Sequence, residues 1–425
     1  MFNPQPHTCP MRLKTILNHV HPIHPFVYGR CTHVGSEIRV EVDARENGDP
    51  WCGGCGKRAT TYDTSREPRR FEFVPLWAIT VVLLYCMRRV DCADCGVTTE
   101  MVPWADGKQR MCNAYRLFLA RWARRLSWSE VARTFKSSWG AVYRSIEWVV
   151  AYGLAHRDLS GVQSIGIDEI AVWSGHRYLT VVYQIDEGAR RLLWIGHART
   201  KKALRKFFDW FGKARTAALR FVCSDMWRAY ITVIEQKAPD AVHVLDRFHI
   251  VSNMNKVIDK VRAEEAREMA RKGFAPILKN SRWCFLKRRT NLKAKQRRKL
   301  ADVLRYTSLR TVRTHMLGEA LHGLWRYTNE NNAWWYLEAW CTRALRSRIA
   351  PVKRFARSLR KYMPLVLNYF KAGKEISAAV VEGFNLRAKL AIRKAFGFRT
   401  AGALETALYH QLGRLPEPPC AHTFC

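Results

Sequence analysis

Two aspartates lie in or shortly after segments that the sequence predicts to be strands of a buried sheet. Asp168 lies within the apolar segment Ser164–Val172, and Asp225 follows shortly after the apolar segment 218–223. A carboxylate within a buried strand is costly unless it binds a metal ion or another cation. Oxygen ligands favour Mg²⁺, with Mn²⁺ as a substitute. Each aspartate alone also fits a turn or an ion pair, so metal chemistry requires that the two meet.

A third carboxylate comes from a helix much later in the chain. Ser377 is predicted to cap this helix, on which Glu382, Asn385 and Lys389 share one face at spacings of three and seven residues. That face would present one acid beside groups suited to DNA phosphate. With both aspartates, Glu382 would hold two ions about 3.5–4 Å apart, which activate water or a 3′-hydroxyl and stabilise the leaving oxygen. Taken alone, an acid on a basic helix is usually a solvated ion-pair partner.

The elements that would position these acids alternate between strands and helices. Three strands joined by glycine-containing turns are followed by a helix, a strand, a helix and a strand. This order predicts an α/β sheet of ribonuclease-H-like topology, in which the first and fourth strands are neighbours and bring Asp168 beside Asp225. Alternation along the first strand points Glu169 to the opposite face. The predicted strands are 164–172, 178–185, 191–196, 218–223 and 241–245, the helices are 201–211 and 226–237, and the first turn is 173–176.

Two Cys-x-x-Cys pairs predict a structural zinc site near the beginning of the chain. Cys52 and Cys55 form one pair and Cys92 and Cys95 the other, and a glycine follows each pair. Four thiolates make a closed tetrahedral Zn²⁺ site of the structural type, which predicts a zinc ribbon. The apolar segment 74–87 is predicted to be core strand and to pair as strands between the two cysteine pairs. Free thiols in a core and a redox pair are the alternatives, although a redox function does not need two pairs.

Three helical patterns follow at the spacing of a helix-turn-helix. Segment 113–125 predicts the first helix, Ser127 and Glu130 form a capping-box pattern that begins the second, and the third covers 141–149. The last helix of such a motif enters the major groove of DNA. A plain three-helix bundle is the alternative. The side chains placed to contact phosphates or base edges are Arg133, Lys136, Ser137, Ser138 and Arg144.

The charge balance favours a polyanionic partner. The 425 residues include 72 Lys and Arg against 36 Asp and Glu, a formal net charge of +36 at pH 7. Nucleic acid is the usual partner of such a chain, with nonspecific binding to RNA or anionic lipid as the alternative. The most apolar run is too short to cross a bilayer, and the cysteines do not form a disulfide framework. We therefore expect a protein of a reducing cytoplasm with no membrane partner.

The long stretch between Asp246 and Glu382 shows no clear strand pattern, which predicts an all-helical insertion. Segment 251–272 predicts a long charged helix, and segment 287–299 contains eight basic residues and no acid. Such a basic cluster would bind phosphates in a salt-dependent manner. The aromatic-rich segment 321–346 is expected to belong to a core, with stacking on an unpaired base as the alternative.

The chain resembles the ISL3 family of bacterial insertion-sequence transposases, which are of the DDE type. The resemblance covers about residues 45–412, including the double Cys-x-x-Cys and the helix-turn-helix pattern. In place of a Ser-Asn pair usual in the family, this chain has Ser377-Ala378-Ala379. The segments that carry the resemblance are GIDEIAVWSGHRYLTVV (166–182), SDMWRAY (224–230), PDAVHVLDRFHI (239–250) and VEGFNLRAKLAIRKAFGFR (381–399).

This resemblance implies roles for individual residues. Asp168, Asp225 and Glu382 fall on the catalytic triad and would be the magnesium ligands. Asp246 and His249 fall on an Asp-x-x-His element and are auxiliary candidates, as are Asn385 and Lys389 on the predicted helix. Without the resemblance, His249 is as well explained by a helix cap.

These features together predict a multidomain chain of mixed α+β and α/β structure that acts as a DNA transposase. It would bind the terminal inverted repeats of its own element as at least a homodimer, cut the 3′ ends and join them to target DNA. The alternatives are a sequence-specific DNA-binding regulator derived from an inactive transposase, and a ribonuclease-H-like nuclease for branched DNA. The predicted domains are a zinc ribbon (1–108), a helix-turn-helix (109–155), the first part of the catalytic core (160–250), a helical insertion (251–375), the last core helix (376–415) and a tail (416–425).

Overall fold

The computed structural model of the protein describes residues 12–46, 48–173, 177–373 and 378–419. The chain is of mixed α/β structure and divides into two compact units. The first contains Met1–Asp158 and Ala391–Cys425, and the second contains Leu159–Leu390. The predicted turn residues 174–176 and the predicted cap Ser377 lie outside the described residues. Among the described helices, none is both long enough and apolar enough to cross a bilayer.

The first unit begins, in its described part, with a short helix and seven strands. β1, β2, β5 and β4 form one sheet in that order, and β3, β6 and β7 form a second. These elements are α1 (Leu13–Val20), β1 (Phe26–Val34), β2 (Glu37–Ala44), β3 (Thr60–Thr64), β4 (Arg69–Leu76), β5 (Ile79–Tyr85), β6 (Arg88–Cys92) and β7 (Gly96–Thr99).

The apolar segment 74–87 forms parts of two strands that pair with each other, as predicted. β4 and β5 pair antiparallel around a turn at Trp77 and Ala78. Both residues have positive φ angles, 47° and 63°, and the Trp77 side chain is exposed. Two consecutive positive φ angles characterise the hairpin turn that usually contains Asn or Gly. The turn therefore carries none of the usual sequence signals.

The described part of the first unit also contains the helices α2 (Asn113–Ala123), α3 (Trp128–Thr134), α4 (Trp139–His156) and α16 (Ala401–Leu412). The predicted capping box is present, because the Ser127 hydroxyl accepts from the Glu130 amide and the Glu130 carboxylate accepts from the Ser127 amide. Ser138 caps α4 by accepting from the Ala141 amide. The sequence thus marked the beginning of α3 correctly, whereas α4 begins two residues before the predicted 141.

The structure describes residues 416–419 of the predicted tail, and contacts with α2 hold this part in place. Glu417 forms ion pairs with Arg121 at 2.8 Å and with Arg124 at 3.1 Å. Gln411 on α16 also donates to the Ala123 carbonyl oxygen at the end of α2. Residues from the late part of the chain therefore complete the structure around α2.

A buried histidine on α16 makes the first unit sensitive to acid. Burial, followed by the positive charges of Arg124 and Lys394, lowers the pKa of His410 to about 3. The unfolded chain protonates this ring near pH 6.5, so its contribution to stability is present above that pH and is lost as the pH falls. Between pH 6.5 and 4.5 we expect the free energy of unfolding to fall by about 2–3 kcal/mol from this ring alone. Urea unfolding at both pH values measures the loss.

The matched variants are His410→Leu, which removes the buried ring, and His33→Ala, which removes an exposed histidine. We expect a smaller acid loss in the first variant and an unchanged loss in the second. Equal acid losses in the wild type and in His410→Leu would contradict the assignment.

The second unit contains, within its described residues, a five-stranded sheet with the order β10-β9-β8-β11-β12. β8, β9 and β10 are antiparallel neighbours, whereas β8, β11 and β12 run parallel. As predicted, the first and fourth strands are therefore neighbours. The elements are β8 (Ser164–Trp173), β9 (Arg177–Gln184), β10 (Arg191–Gly196), α5 (Lys201–Phe211), α6 (Lys213–Ala217), β11 (Phe221–Ser224), α7 (Arg228–Lys237) and β12 (Val242–Leu245).

After β12, the described regular structure is helical. Trp340 is fully buried, whereas Trp334 and Trp335 are 39% and 68% exposed, so the aromatic segment contributes to both core and surface. The longer helices are α8 (Arg247–Arg271), α9 (Arg282–Leu286), α10 (Ala294–Leu304), α11 (Arg310–His322), α12 (Glu330–Leu345), α13 (Ala350–Lys361), α14 (Met363–Lys371) and α15 (Ala378–Lys394).

Candidate catalytic site

Three aspartates lie on the three parallel strands of the second unit. Asp168 is on β8, and Asp225 and Asp246 directly follow β11 and β12. The parallel registers align the three residues just beyond the last paired positions. The carboxyl edge of parallel strands is where α/β sheets bind their ligands. The structure therefore brings Asp168 and Asp225 into one cluster, as predicted, and adds Asp246 to it.

Helix α15 packs directly on β8 at Gly166. A Cβ atom at this glycine would overlap Cγ2 of Val381, so the helix approaches the strand as closely as it does only because the side chain is absent. One turn further on, the Phe384 ring stacks on Tyr183 with 4.7 Å between ring centroids. This packing fixes the helix that carries Glu382.

Asn385 ties the same helix to the aspartate cluster. Its Nδ2 atom donates to Oδ2 of Asp168 at 2.5 Å, and its Oδ1 atom accepts from the Tyr183 hydroxyl at 3.0 Å. Asn385 is buried, whereas Glu382 and Lys389 are exposed. The structure thus gives the three residues of the predicted helical face different environments, and Asn385 is the one that contacts an aspartate.

We expect Gly166→Ala to separate α15 from β8 and to reduce the activity that depends on the cluster. The added methyl group meets a branched side chain on a packed helix, and such overpacking typically costs about 1–3 kcal/mol. Gly383→Ala on the same helix is the matched control, because a Cβ atom there meets no other atom within 4 Å. Thermal unfolding measures the loss of stability, and the activity of the two purified variants measures the second effect. Equal behaviour of the two variants would contradict the close packing.

His249 provides a positive charge within the cluster. Its Nε2 atom lies 3.8 Å from Oδ2 of Asp168 and 3.7 Å from Oδ2 of Asp246. Contact with Asp168, together with the charges of Asp246 and Asp225, outweighs burial and raises the pKa of His249 to about 9. The ring is therefore an imidazolium at neutral pH. Asp246, and not His249, is the residue that caps α8, by accepting from the Phe248 amide.

The acids themselves are difficult to ionise together. Burial raises the pKa of Asp225 above its usual range, and burial raises the pKa of Asp246 to about 6 against the opposing charge of His249. The carboxylate of Glu382 also raises the pKa of Asp246, which shows that the helix brings its acid within electrostatic range of the cluster. A buried group of acids in this state favours bound cations.

Arg199 is a second cation at the cluster, and no sequence pattern indicated it. Its guanidinium contacts Glu169 at 2.8 Å and Asp225 at 3.4 Å, and it lies 4.6 Å from the centre of the Trp227 ring. Asp225 interacts electrostatically with both Asp168 and Glu169, so Glu169 lies near the cluster despite the alternation along β8. Burial, followed by the charge of Asp225, raises the pKa of Glu169 to about 7.

The three predicted triad carboxylates do not form a compact metal-binding group in this structure. Among the described residues, the four cysteines are the group of three or more ligands whose ligand atoms all lie within 4.8 Å of one another. Asp168 and Asp225 interact electrostatically, and Glu382 is linked to the cluster through Asp246. The assignment of the triad therefore stays a prediction from the sequence.

The four cysteine sulfurs of the first unit converge as predicted. Cys52 and Cys92 are buried, Cys55 and Cys95 are exposed, and the Sγ atoms of Cys55 and Cys92 are 3.6 Å apart. The backbone amide of Cys55 is the main cause that lowers the pKa of Cys52 to about 7. A Cβ atom at Gly53 would lie 2.5 Å from the Thr99 carbonyl oxygen, so the turn between the first two cysteines requires glycine. Four sulfurs at this separation suit one tetrahedral Zn²⁺ ion.

The residues predicted to contact DNA lie on two different surfaces of the first unit. Lys136, Ser137, Ser138 and Arg144 line one cavity of about 440 Å³, together with other basic side chains. Arg133 lines a separate cavity of about 710 Å³ beside Trp128 and Trp139. Lys136 occupies the turn between α3 and α4 with a φ angle of 51°. The structure thus keeps four of the five residues together and separates Arg133 from them.

Comparison with known proteins identifies the family. The family model described as "Transposase", for DDE enzymes of the ISL3 type, matches residues 165–408. The transposase for insertion sequence element IS1001 of Bordetella parapertussis is 31% identical over 352 residues, which cover 82% of this chain and 85% of the relative. The transposase for insertion sequence element IS1557 of Mycobacterium tuberculosis is 29% identical over 395 residues, covering 87% and 88%. The chain belongs to the ISL3 family of insertion-sequence transposases.

Proposed function

We propose that this chain is a DNA transposase that binds the terminal inverted repeats of its own element, cleaves the DNA strands at the element ends and joins them to target DNA. The observation that carries the proposal is the set of aspartates aligned on three parallel strands, with an acid-bearing helix packed on the first of these strands. We take the sheet as a ribonuclease-H-like core, because its order is three antiparallel strands followed by two parallel ones.

The donor set fits divalent metal ions of the hard type. Asp168, Asp225 and Glu382 would hold two Mg²⁺ ions, or Mn²⁺ in their place, with oxygen ligands only. When bound, the ions would activate a water or a 3′-hydroxyl and stabilise the leaving oxygen. The pKa of Asp246 and of Asp225, both raised by burial, supports a requirement for cations at this position.

The chain's own side chains would prepare this site in two ways. Asn385 orients the Asp168 carboxylate through its amide and is itself oriented by Tyr183. His249 and Arg199 supply positive charge beside the acids, and both are also placed to attract a DNA phosphate.

The first unit would choose the DNA. We propose that the four cysteines bind one structural Zn²⁺ ion and that α2, α3 and α4 act as a helix-turn-helix. The residues around Lys136 and Arg144 would contact the repeat. Since two element ends must be brought together, at least a dimer would assemble on the DNA.

An excision assay tests the proposal directly. A marker gene is flanked by the DNA that borders the coding sequence on either side, and its loss is measured with and without the protein. We expect protein-dependent excision and reinsertion that require Mg²⁺. Specific binding to the repeats without any strand cleavage would instead identify a regulator derived from a transposase. Cleavage of branched DNA regardless of the repeat sequence would identify a structure-specific nuclease.

A further inference from the structure

The turn between α15 and α16 presents a phenylalanine in a way that folding alone does not favour. The Phe396 side chain is 100% exposed, and its φ angle is 54°. A left-handed conformation is strained for a residue with a side chain, and such strain tends to persist at functional sites. The exposed ring adds an apolar surface to the same position. Neither property contributes to the stability of the protein itself.

The turn that carries this ring is well defined. The amide of Phe396 donates to the Arg393 carbonyl oxygen at 2.9 Å, and the amide of Gly397 donates to the Ile392 carbonyl oxygen at 3.0 Å. These two bonds close the end of α15 in the manner of a Schellman motif. Phe396 therefore projects from a fixed helix end.

An aromatic cavity lies beside the exposed ring. Trp128, Trp139 and Phe398 line it together with Phe396, and its volume is about 710 Å³. The ring centroids of Trp128 lie 5.6 Å from Trp139 and 5.4 Å from Phe398. Trp139 stacks on Tyr143 on one side, with 5.4 Å between ring centroids, and is still 47% exposed, so an incoming planar group can meet the remaining surface of its ring. Aromatic faces of this kind stack on nucleobases without regard to sequence.

The rim of the cavity is positively charged. Arg133, Lys394 and Arg399 all line it, and the one acid there, Glu130, is already committed to the capping box with Ser127. The excess of cations suits a phosphate next to the stacked group and opposes an apolar partner. A nucleotide combines the planar ring and the negative charge that this surface matches.

We propose that Phe396 inserts into the DNA of the element end and that the cavity beside it binds the base that becomes unstacked. Apolar side chains inserted between base steps unstack them and kink the duplex. The unstacked base would lie on Trp139, which the buried Trp128 supports, while Arg133 and Arg399 contact the flanking phosphates. This inference rests on the proposed function in that it takes the partner to be the element's own DNA.

Chemical probing of a duplex that carries the element end tests this inference. Permanganate modifies unstacked thymines, and diethyl pyrocarbonate modifies unstacked purines. With the wild-type full-length protein we expect one position to become about fivefold or more reactive than in free DNA. Phe396→Ala should return that position to the reactivity of free DNA, while Phe396→Leu, which keeps an apolar wedge, should retain much of the effect.

The matched control is Phe274→Ala, because Phe274 is also an exposed phenylalanine close to a helix end, with 61% exposure. This control should leave the reactive position unchanged. Reactivity that is equal in wild type and Phe396→Ala, or absent from a wild-type complex, would overturn the inference. A protein that does not bind the duplex at all would instead overturn the proposed function.

A second measurement tests whether another copy of this chain, instead of DNA, occupies the surface around Phe396. Sedimentation of the wild type and of Phe396→Ala without DNA shows whether this surface binds another copy of the chain. We expect the same oligomeric state for both proteins. A loss of self-association in the variant would assign the surface to protein contact and overturn the inference.

Discussion

Asp168→Asn is expected to abolish metal-dependent cleavage and joining of the element ends while leaving the binding of those ends intact. Asparagine has nearly the same shape as aspartate but lacks the negative charge that a divalent ion requires. We expect a loss of roughly 10³-fold or more in the rate of strand cleavage, since metal ligands supply several kcal/mol of transition-state stabilisation. Gel electrophoresis of labelled element ends with Mg²⁺ measures cleavage, and a mobility shift measures binding.

Asp209→Asn is the matched control for this variant. Asp209 lies in the same unit, on α5, where it pairs with Lys237 on the surface. Its loss should change neither cleavage nor binding. If Asp168→Asn cleaved and joined DNA at the wild-type rate, the assignment of Asp168 as a metal ligand would be wrong.

Cys52→Ser is expected to remove zinc and to eliminate specific binding of the element ends. The serine oxygen cannot replace a buried thiolate in a four-sulfur site, and structural zinc contributes directly to folding. The hydrophobic core around the site is small, because Val90 is its one buried residue besides Cys52 and Cys92 among the described residues. We therefore expect the three-stranded sheet to unfold, which limited proteolysis and a measurement of zinc content per chain both detect.

Cys31→Ser serves as the control for this second variant. Cys31 lies on β1, half-buried, and outside the four-cysteine group. It should keep one zinc ion per chain and wild-type DNA binding. Full zinc content in Cys52→Ser would contradict the proposed ligand set, even if the zinc of the wild type resists removal by chelators.

Local patterns in the sequence predicted much of the fold. The helix 201–211 and the strand 191–196 have the predicted bounds, and Ser127 and Glu130 form the predicted capping box. These features depend on residues that are neighbours along the chain, so the local residue pattern is enough to predict them. The position of the turn at Trp77 and Ala78 was not predicted. The pairing of β4 with β5 imposes a backbone conformation there that these two residues do not favour, so the local sequence contains no signal for it.

The candidate site was predictable only in part. The motif segments placed Asp168 and Asp225 on neighbouring strands, and the structure agrees with that arrangement. Tyr183 lies within an apolar run and was indistinguishable from a core residue, and Arg199 lies in a loop with no recognisable motif. The contacts of Tyr183 arise from the packing of α15 on the sheet, and those of Arg199 from the pairing of β8 with β11, and a local pattern records neither.

The structure distinguishes the two roles, helix cap and site residue, that the sequence alone supported equally for His249. A histidine at the beginning of a helix suits a cap as well as a site. The cap of α8 is Asp246, so the ring of His249 is free to turn towards Asp168. A positive ring beside the acids would compensate their charge until metal ions bind.

The contacts of Glu417 and Gln411 with the end of α2 determine when the first unit can finish folding during synthesis. The ribosome completes α2 long before it reaches α16, and it translates all of 159–390 in the interval. The first unit therefore acquires its last structural contacts only when synthesis has passed the acid-bearing helix. A nascent chain would complete this unit only after the residues proposed to cut DNA have been translated.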